Sequence, residues 1–217
     1  NSGSLHIGTG AATTGVGGSI SMTVGAGDNG AGGSISLSSG ATTAPASSGG
    51  NVAILSGRGI SESGAIVMST EQATNGISGG VFLGTGAAVG GNGGDVTISV
   101  GSGNNGAGGD VVVSAGANTG LVSPSPNALT ATGGRVVLTS GSSTKTTSGS
   151  VFVSSFKAGA IGRSGSIHLS TGTTTDGLSG GIYLGTGTGL GDSAGDIEIA
   201  VGSGNTGSGG AVSITSG

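Results

Sequence analysis

GVFLGTGAAVGGNGGDVTISVGSGNNGAGG (residues 80–109) and GIYLGTGTGLGDSAGDIEIAVGSGNTGSGG (residues 181–210) are nearly the same thirty residues written twice, 101 positions apart. In each copy aliphatic residues alternate with other residues for a few positions, and a glycine then closes the run. The same phrase recurs from end to end, with starts at Ser4, Ser19, Ser34, Asn51, Ala65, Gly80, Asp95, Asp110, Arg135, Ser150, Ser166, Gly181, Asp196 and Ala211. Nine of the thirteen spacings are 15, and the others are 17, 14, 25 and 16, so the repeat has a register and not merely a composition.

Aligned on these starts, the columns are strict. The residue before each start is glycine in all fourteen repeats, position 2 is always Leu, Ile or Val, and position 4 is always aliphatic or Met. Position 7 is glycine in all but two repeats, which carry Glu71 and Phe156 instead. Period-2 alternation of aliphatic residues closed by glycine is the signature of a half-buried strand. One such run per repeat, always in phase, predicts an all-β protein: a single parallel β-solenoid of about fourteen coils of about 15 residues, stacked about 4.8 Å apart. The glycines before each start and at position 7 are expected to supply the positive φ of the coil's turns. The second half of each repeat is expected to form a thin opposite wall, with small inward anchors at Val16, Ala31, Ile77, Ala107 and Leu178.

A longer period overlies the short one. Residues from Ser4 match those from Gly80 at an offset of 76, and those from Gly80 match those from Gly181 at 101. The sequence thus reads as one continuous solenoid over 1–217, with a duplicated five- or six-coil super-repeat in blocks 4–79, 80–180 and 181–217. The 25-residue repeat starting at Asp110 is expected to carry an inserted loop over 117–132, where Pro124 and Pro126 have no amide for a ladder.

Composition narrows the function classes. Glycine supplies 55 of 217 residues, charged residues only 6%, aromatics 2%, and cysteine none, which leaves neither a conventional core nor a disulfide framework. Five Lys and Arg in total give no basic patch for nucleic acid, and no apolar run has the length of a membrane span. The opening at Asn1 and the closing strand phrase AVSITSG, with no cap, read as a window on a longer stack or as ends that stack on other copies.

Several motifs invite chemistry and decline it. GTGAAVGG and GSGNNGAGG resemble phosphate-binding loops, yet no helical pattern follows them to supply the helix N-terminus such loops require. Asp28, Asn29, Asn104, Asn105 and Asp176 are too sparse for a calcium roll and fit turn positions instead. Asp95 and Asp110 share a column in adjacent repeats, with Arg135 one repeat further, which reads as a solvated column. His6 and His168 fall in different repeats and offer no convergence for zinc or a triad. No catalytic residue, cofactor site or metal site is expected, and the protein reads as a non-enzyme.

Position 3 faces away from the aliphatic strip. It reads Val137, Phe152, His168 and Tyr183 over four consecutive repeats, with Val67 and Phe82 in the earlier block, and these six residues form a candidate lateral interface. There is no Asn-x-Ser/Thr sequon for N-linked glycans, whereas TTAPASS (42–48) and VSPSPNALTAT (122–132) have the composition of O-glycan acceptors.

The recurring phrase, with GGSISLSSG (32–40), GGDVTISVG (93–101) and GGDVVVSAG (108–116) as examples, resembles the Gly/Ser-rich solenoid repeats of very large secreted surface proteins of algae and bacteria, including adhesin-like ones. That resemblance covers essentially the whole sequence and implies an extracellular, cell-surface location and a structural or adhesive role. The expected function is a building block of an extracellular fibre or surface rod that assembles with itself by coil stacking and lateral contacts. The alternative is a solenoid that binds ice or a carbohydrate surface.

Overall fold

Hydrogen bonds close several repeats on themselves. The computed structural model describes residues 2–119, 132–191 and 193–217. The protein divides into two units, Asn1–Gly106 and Ala107–Gly217, and each is built from the same loops. An outgoing segment at positions 1–7 is followed by a bend and a return to the glycine before the next start. The bends fall at 13–15, 28–30, 44–46, 60–61, 74–76, 89–91, 104–106, 144–146, 160–162, 175–177, 190–191 and 205–207, in step with the sequence register.

Among the described residues there is no helix and no β-strand, so the expected parallel β-solenoid is not the architecture of this protein. The backbone groups of the described residues are not arranged in a ladder from one repeat to the next. Where backbone bonds form, they close single loops: the amides of Gly50, Gly64, Gly134 and Gly149 donate to the carbonyls of Gly40, Gly57, Gly116 and Gly141 at 2.8–2.9 Å. In other repeats a hydroxyl closes the loop instead. Thr9, Thr70 and Thr85, all at position 6, donate from Oγ1 to the carbonyls of Gly18, Gly79 and Gly94 at 3.0–3.2 Å.

The glycine columns have other tasks than those expected. Positive φ occurs not before the starts or at position 7 but in the bends, at Gly30, Gly76, Gly90, Gly106, Gly162, Gly177 and Gly191. In five repeats the glycine before the next start, at Gly18, Gly33, Gly50, Gly134 and Gly210, is closely approached. A Cβ on Gly33 would run into Cγ1 of Val24, one on Gly210 would lie 2.9 Å from Cγ1 of Val201, and one on Gly18 would lie 3.3 Å from Thr9. Position 6 therefore touches the return segment of its own loop. At position 7 the space is open, with nothing within 4 Å of a Cβ on Gly25, Gly40 or Gly101, which is why Glu71 and Phe156 can stand in the same column.

No core forms. The accessible surface is 21472 Å², against about 8,500 Å² for a compact folded protein of this mass and about 28,000 Å² for an unfolded one. Among the described residues every one is exposed except Ala158, which is half-buried. The physical cause lies in the composition. Ordering a glycine costs more backbone entropy than ordering any other residue, and one narrow aliphatic strip per repeat returns little apolar area in exchange.

The 17-residue repeat starting at Ser34 turns without a glycine. Ala46 takes φ 59°, beside Pro45, while the Ala44 amide donates to Thr42 Oγ1 at 3.1 Å. The bend at 144–146 is likewise held by a hydroxyl, with the Thr146 amide donating to Ser143 Oγ at 3.0 Å. The expected inserted loop at 117–132 lies largely outside the described residues. At its base the Gly134 amide donates to the Gly116 carbonyl at 2.9 Å, the same closure that shorter repeats make.

Candidate interaction surface

The alternation in the sequence survives as a gradient of exposure rather than as a division between inside and outside. In the Ser150 repeat, Val151 is 49% exposed, Val153 66% and Phe152 91%. In most repeats positions 2 and 4 are less exposed than position 3, but in the Arg135 repeat Val137 at 68% falls between Val136 at 63% and Leu138 at 72%; the valine at position 6 is the most covered, with Val24 at 47%. Elsewhere the two sets of columns keep the phase of the alternation, but nothing covers the less exposed ones.

The six expected interface residues are all exposed. Val67 and Phe82 belong to the first unit, and Val137, Phe152, His168 and Tyr183 to the second. Two of the rings lie back over their own backbone. A Cβ on Gly80 would meet the Phe82 ring at 3.0 Å, and one on Gly181 would meet the Tyr183 ring at 3.1–3.2 Å. Only these two repeats start with glycine, so the ring and the missing side group are a matched pair, 101 residues apart. The same two repeats turn one position early, on Gly90 (φ 81°) and Gly191 (φ 94°).

A second set of apolar residues is not apparent from the sequence. Val16, Ile77 and Leu178 are expected as inward anchors of the return wall, yet Ile77 is 98% exposed and the other two nearly as much. Ile77 and Leu178 directly follow the positive-φ glycines of their bends, Gly76 and Gly177, and point away from the loop there. Val89, Ile60, Ile161 and Leu190 stand equally free at or beside other bends. The signal for this outcome is an aliphatic residue next to a glycine-containing turn, where solvent exposure is the ordinary result.

Among the described residues no group of three or more His, Cys, Asp or Glu residues is placed to hold a metal ion. No helix in them is long and apolar enough to cross a membrane. No family model matches the sequence, and no curated protein and no solved structure matches it either.

Proposed function

We propose that this protein is a structural, non-catalytic building block that associates with copies of itself in an extracellular fibre or surface layer. The observation that carries the reading is the apolar pair at positions 2 and 4, present in every repeat and left about half-exposed or more by the protein's own fold. Apolar surface left exposed in repeat after repeat marks a place for a partner. A second copy has the same strip at the same spacing, so it offers a periodic match that an unrelated surface does not. The charge balance permits it: with 6% charged residues and a net charge of -4, little repulsion opposes approach of one copy to another. Placement outside the cell rests on the resemblance to secreted Gly/Ser-rich repeats, and O-linked glycans on the composition of the Pro/Ser/Thr-rich stretches.

The ice- or carbohydrate-surface alternative draws no support from the hydroxyls. Those of Thr9, Thr70 and Thr85 are engaged with backbone carbonyls of their own loops and do not form a free array. Sedimentation velocity over a wide concentration range tests the proposal. Growth of larger species with concentration is expected, with elongated or sheet-like particles in electron images. A monomer at every concentration overturns it.

A further inference from the structure

Three bends share one dipeptide at the same two positions of the repeat. Asn29–Gly30, Asn75–Gly76 and Asn105–Gly106 occupy positions 11 and 12 of the repeats starting at Ser19, Ala65 and Asp95. Each glycine has positive φ (113°, 144° and 108°), each pair is exposed, and nothing lies within 4 Å of where a Cβ would stand on the glycine. A fourth pair, Asn92–Gly93, follows the bend at 89–91 with the same open glycine.

We infer that these four asparagines are sites of spontaneous covalent modification by the backbone itself. The amide nitrogen of the following glycine, which has no side group to shield it, attacks Cγ of the asparagine. A bond forms between that backbone nitrogen and Cγ, and the bond between Cγ and Nδ2 breaks. Nδ2 leaves as ammonia with the proton that the backbone amide gives up. The resulting five-membered succinimide is opened by one water at either carbonyl, giving aspartate or isoaspartate. Water is the only co-reactant, and ammonia the only other product. In most folded proteins a helix or ladder holds the asparagine backbone away from this geometry. Here no helix or strand forms among the described residues, so the reaction meets no such restraint.

The sequence already holds the product residue at this position. In the Ser166 repeat, Asp176–Gly177 fills positions 11 and 12, Gly177 keeps φ 128°, and Thr174 Oγ1 donates to the Gly177 carbonyl at 3.0 Å. The bend therefore accommodates a carboxylate without changing its turn. Conversion at all four sites takes the formal net charge from -4 to -8, one added negative charge per asparagine.

The test is incubation of the intact 217-residue protein in mildly alkaline buffer made with ¹⁸O-water, followed by digestion in ordinary water and peptide mapping by mass spectrometry. Label should enter Asn29, Asn75, Asn92 and Asn105, with paired aspartate and isoaspartate peptides resolved by chromatography. Their loss should outpace that of Asn51 and Asn205, which precede Val52 and Thr206, by about tenfold or more, the equivalent of about 1.4 kcal/mol in barrier. Asn29→Gln and Asn75→Gln, which would need a larger ring, should abolish the reaction at those sites alone. Equal rates at the Asn–Gly and other asparagines, or label without isoaspartate, would overturn the inference.

Discussion

Gly33 marks the place where a single methyl group is too much. A Cβ there collides with Cγ1 of Val24, and the geometry at Gly210 and Val201 is nearly as tight. Gly33→Ala and Gly210→Ala are each expected to force the loop open, since relieving an overpacked contact of this kind costs roughly 1–3 kcal/mol. Gly25→Ala, at open position 7 of the same loop as Val24, should leave that loop closed. The readout is the nuclear Overhauser contact of the Val24 and Val201 methyls with the α-protons of residues 33 and 210, lost in the first two variants and retained between Val24 and Gly33 in the third. Ala46 presents the opposite case. Its φ of 59° puts an L-residue in the left-handed region, a strain of roughly 1–2 kcal/mol. Ala46→Gly should raise the population of the 44–46 turn, seen as a stronger Ala44 amide bond to Thr42 Oγ1 in hydrogen exchange.

At the scale of one loop, closure ignores the length of what it encloses. Six residues separate Gly57 from Gly64, seven separate Gly141 from Gly149, nine separate Gly40 from Gly50, and seventeen separate Gly116 from Gly134, yet the bond is 2.8–2.9 Å in all four. Replacing residues 117–133 by the seven-residue segment 142–148 should therefore preserve the Gly134-to-Gly116 bond. Closing a shorter loop should favour it by about 0.8 kcal/mol, measurable as slower exchange of the Gly134 amide. Thr85→Val keeps the shape of position 6 but removes the hydroxyl, and should weaken closure by about 0.5–1 kcal/mol, the net worth of a hydrogen bond. These loops are legible in the sequence as a register: the glycine before each start and the aliphatic alternation mark where each repeat begins and ends. Their closure is not, because a period-2 pattern states which residues share a face and not what the backbone bonds to. Gly18 and Gly33 read as turn residues from type alone, whereas their positions beside Thr9 and Val24 show that the lack of a Cβ is what matters.

The whole molecule leaves its aliphatic rows to be covered from outside. Val136 and Leu169 read in the sequence as core, yet they are 63% and 69% exposed. Val151→Asp and Ile182→Asp should consequently spare the isolated protein, whose loops do not depend on them, and impair association. Full burial of a valine or isoleucine is worth about 1.5–3 kcal/mol; Val151 and Ile182 are each 49% exposed, so about half of that remains to be gained and each change should lower the association constant roughly three- to tenfold. Phe152→Ser should act more weakly, by contact area alone. Cooling should also dissolve the assembly, since apolar association weakens as temperature falls, and sedimentation at two temperatures reads this directly.

The closure between a position-7 carbonyl and the glycine before the next start has a genetic consequence. An in-frame gain or loss of codons between those two points alters only the enclosed segment and leaves the register of every later repeat intact. Unequal recombination between near-identical repeats is likewise harmless wherever it exchanges whole units. A gene encoding such loops can thus lengthen, shorten and diversify its product one unit at a time, and the spacings of 14, 16, 17 and 25 among the fifteens are what such a history leaves behind.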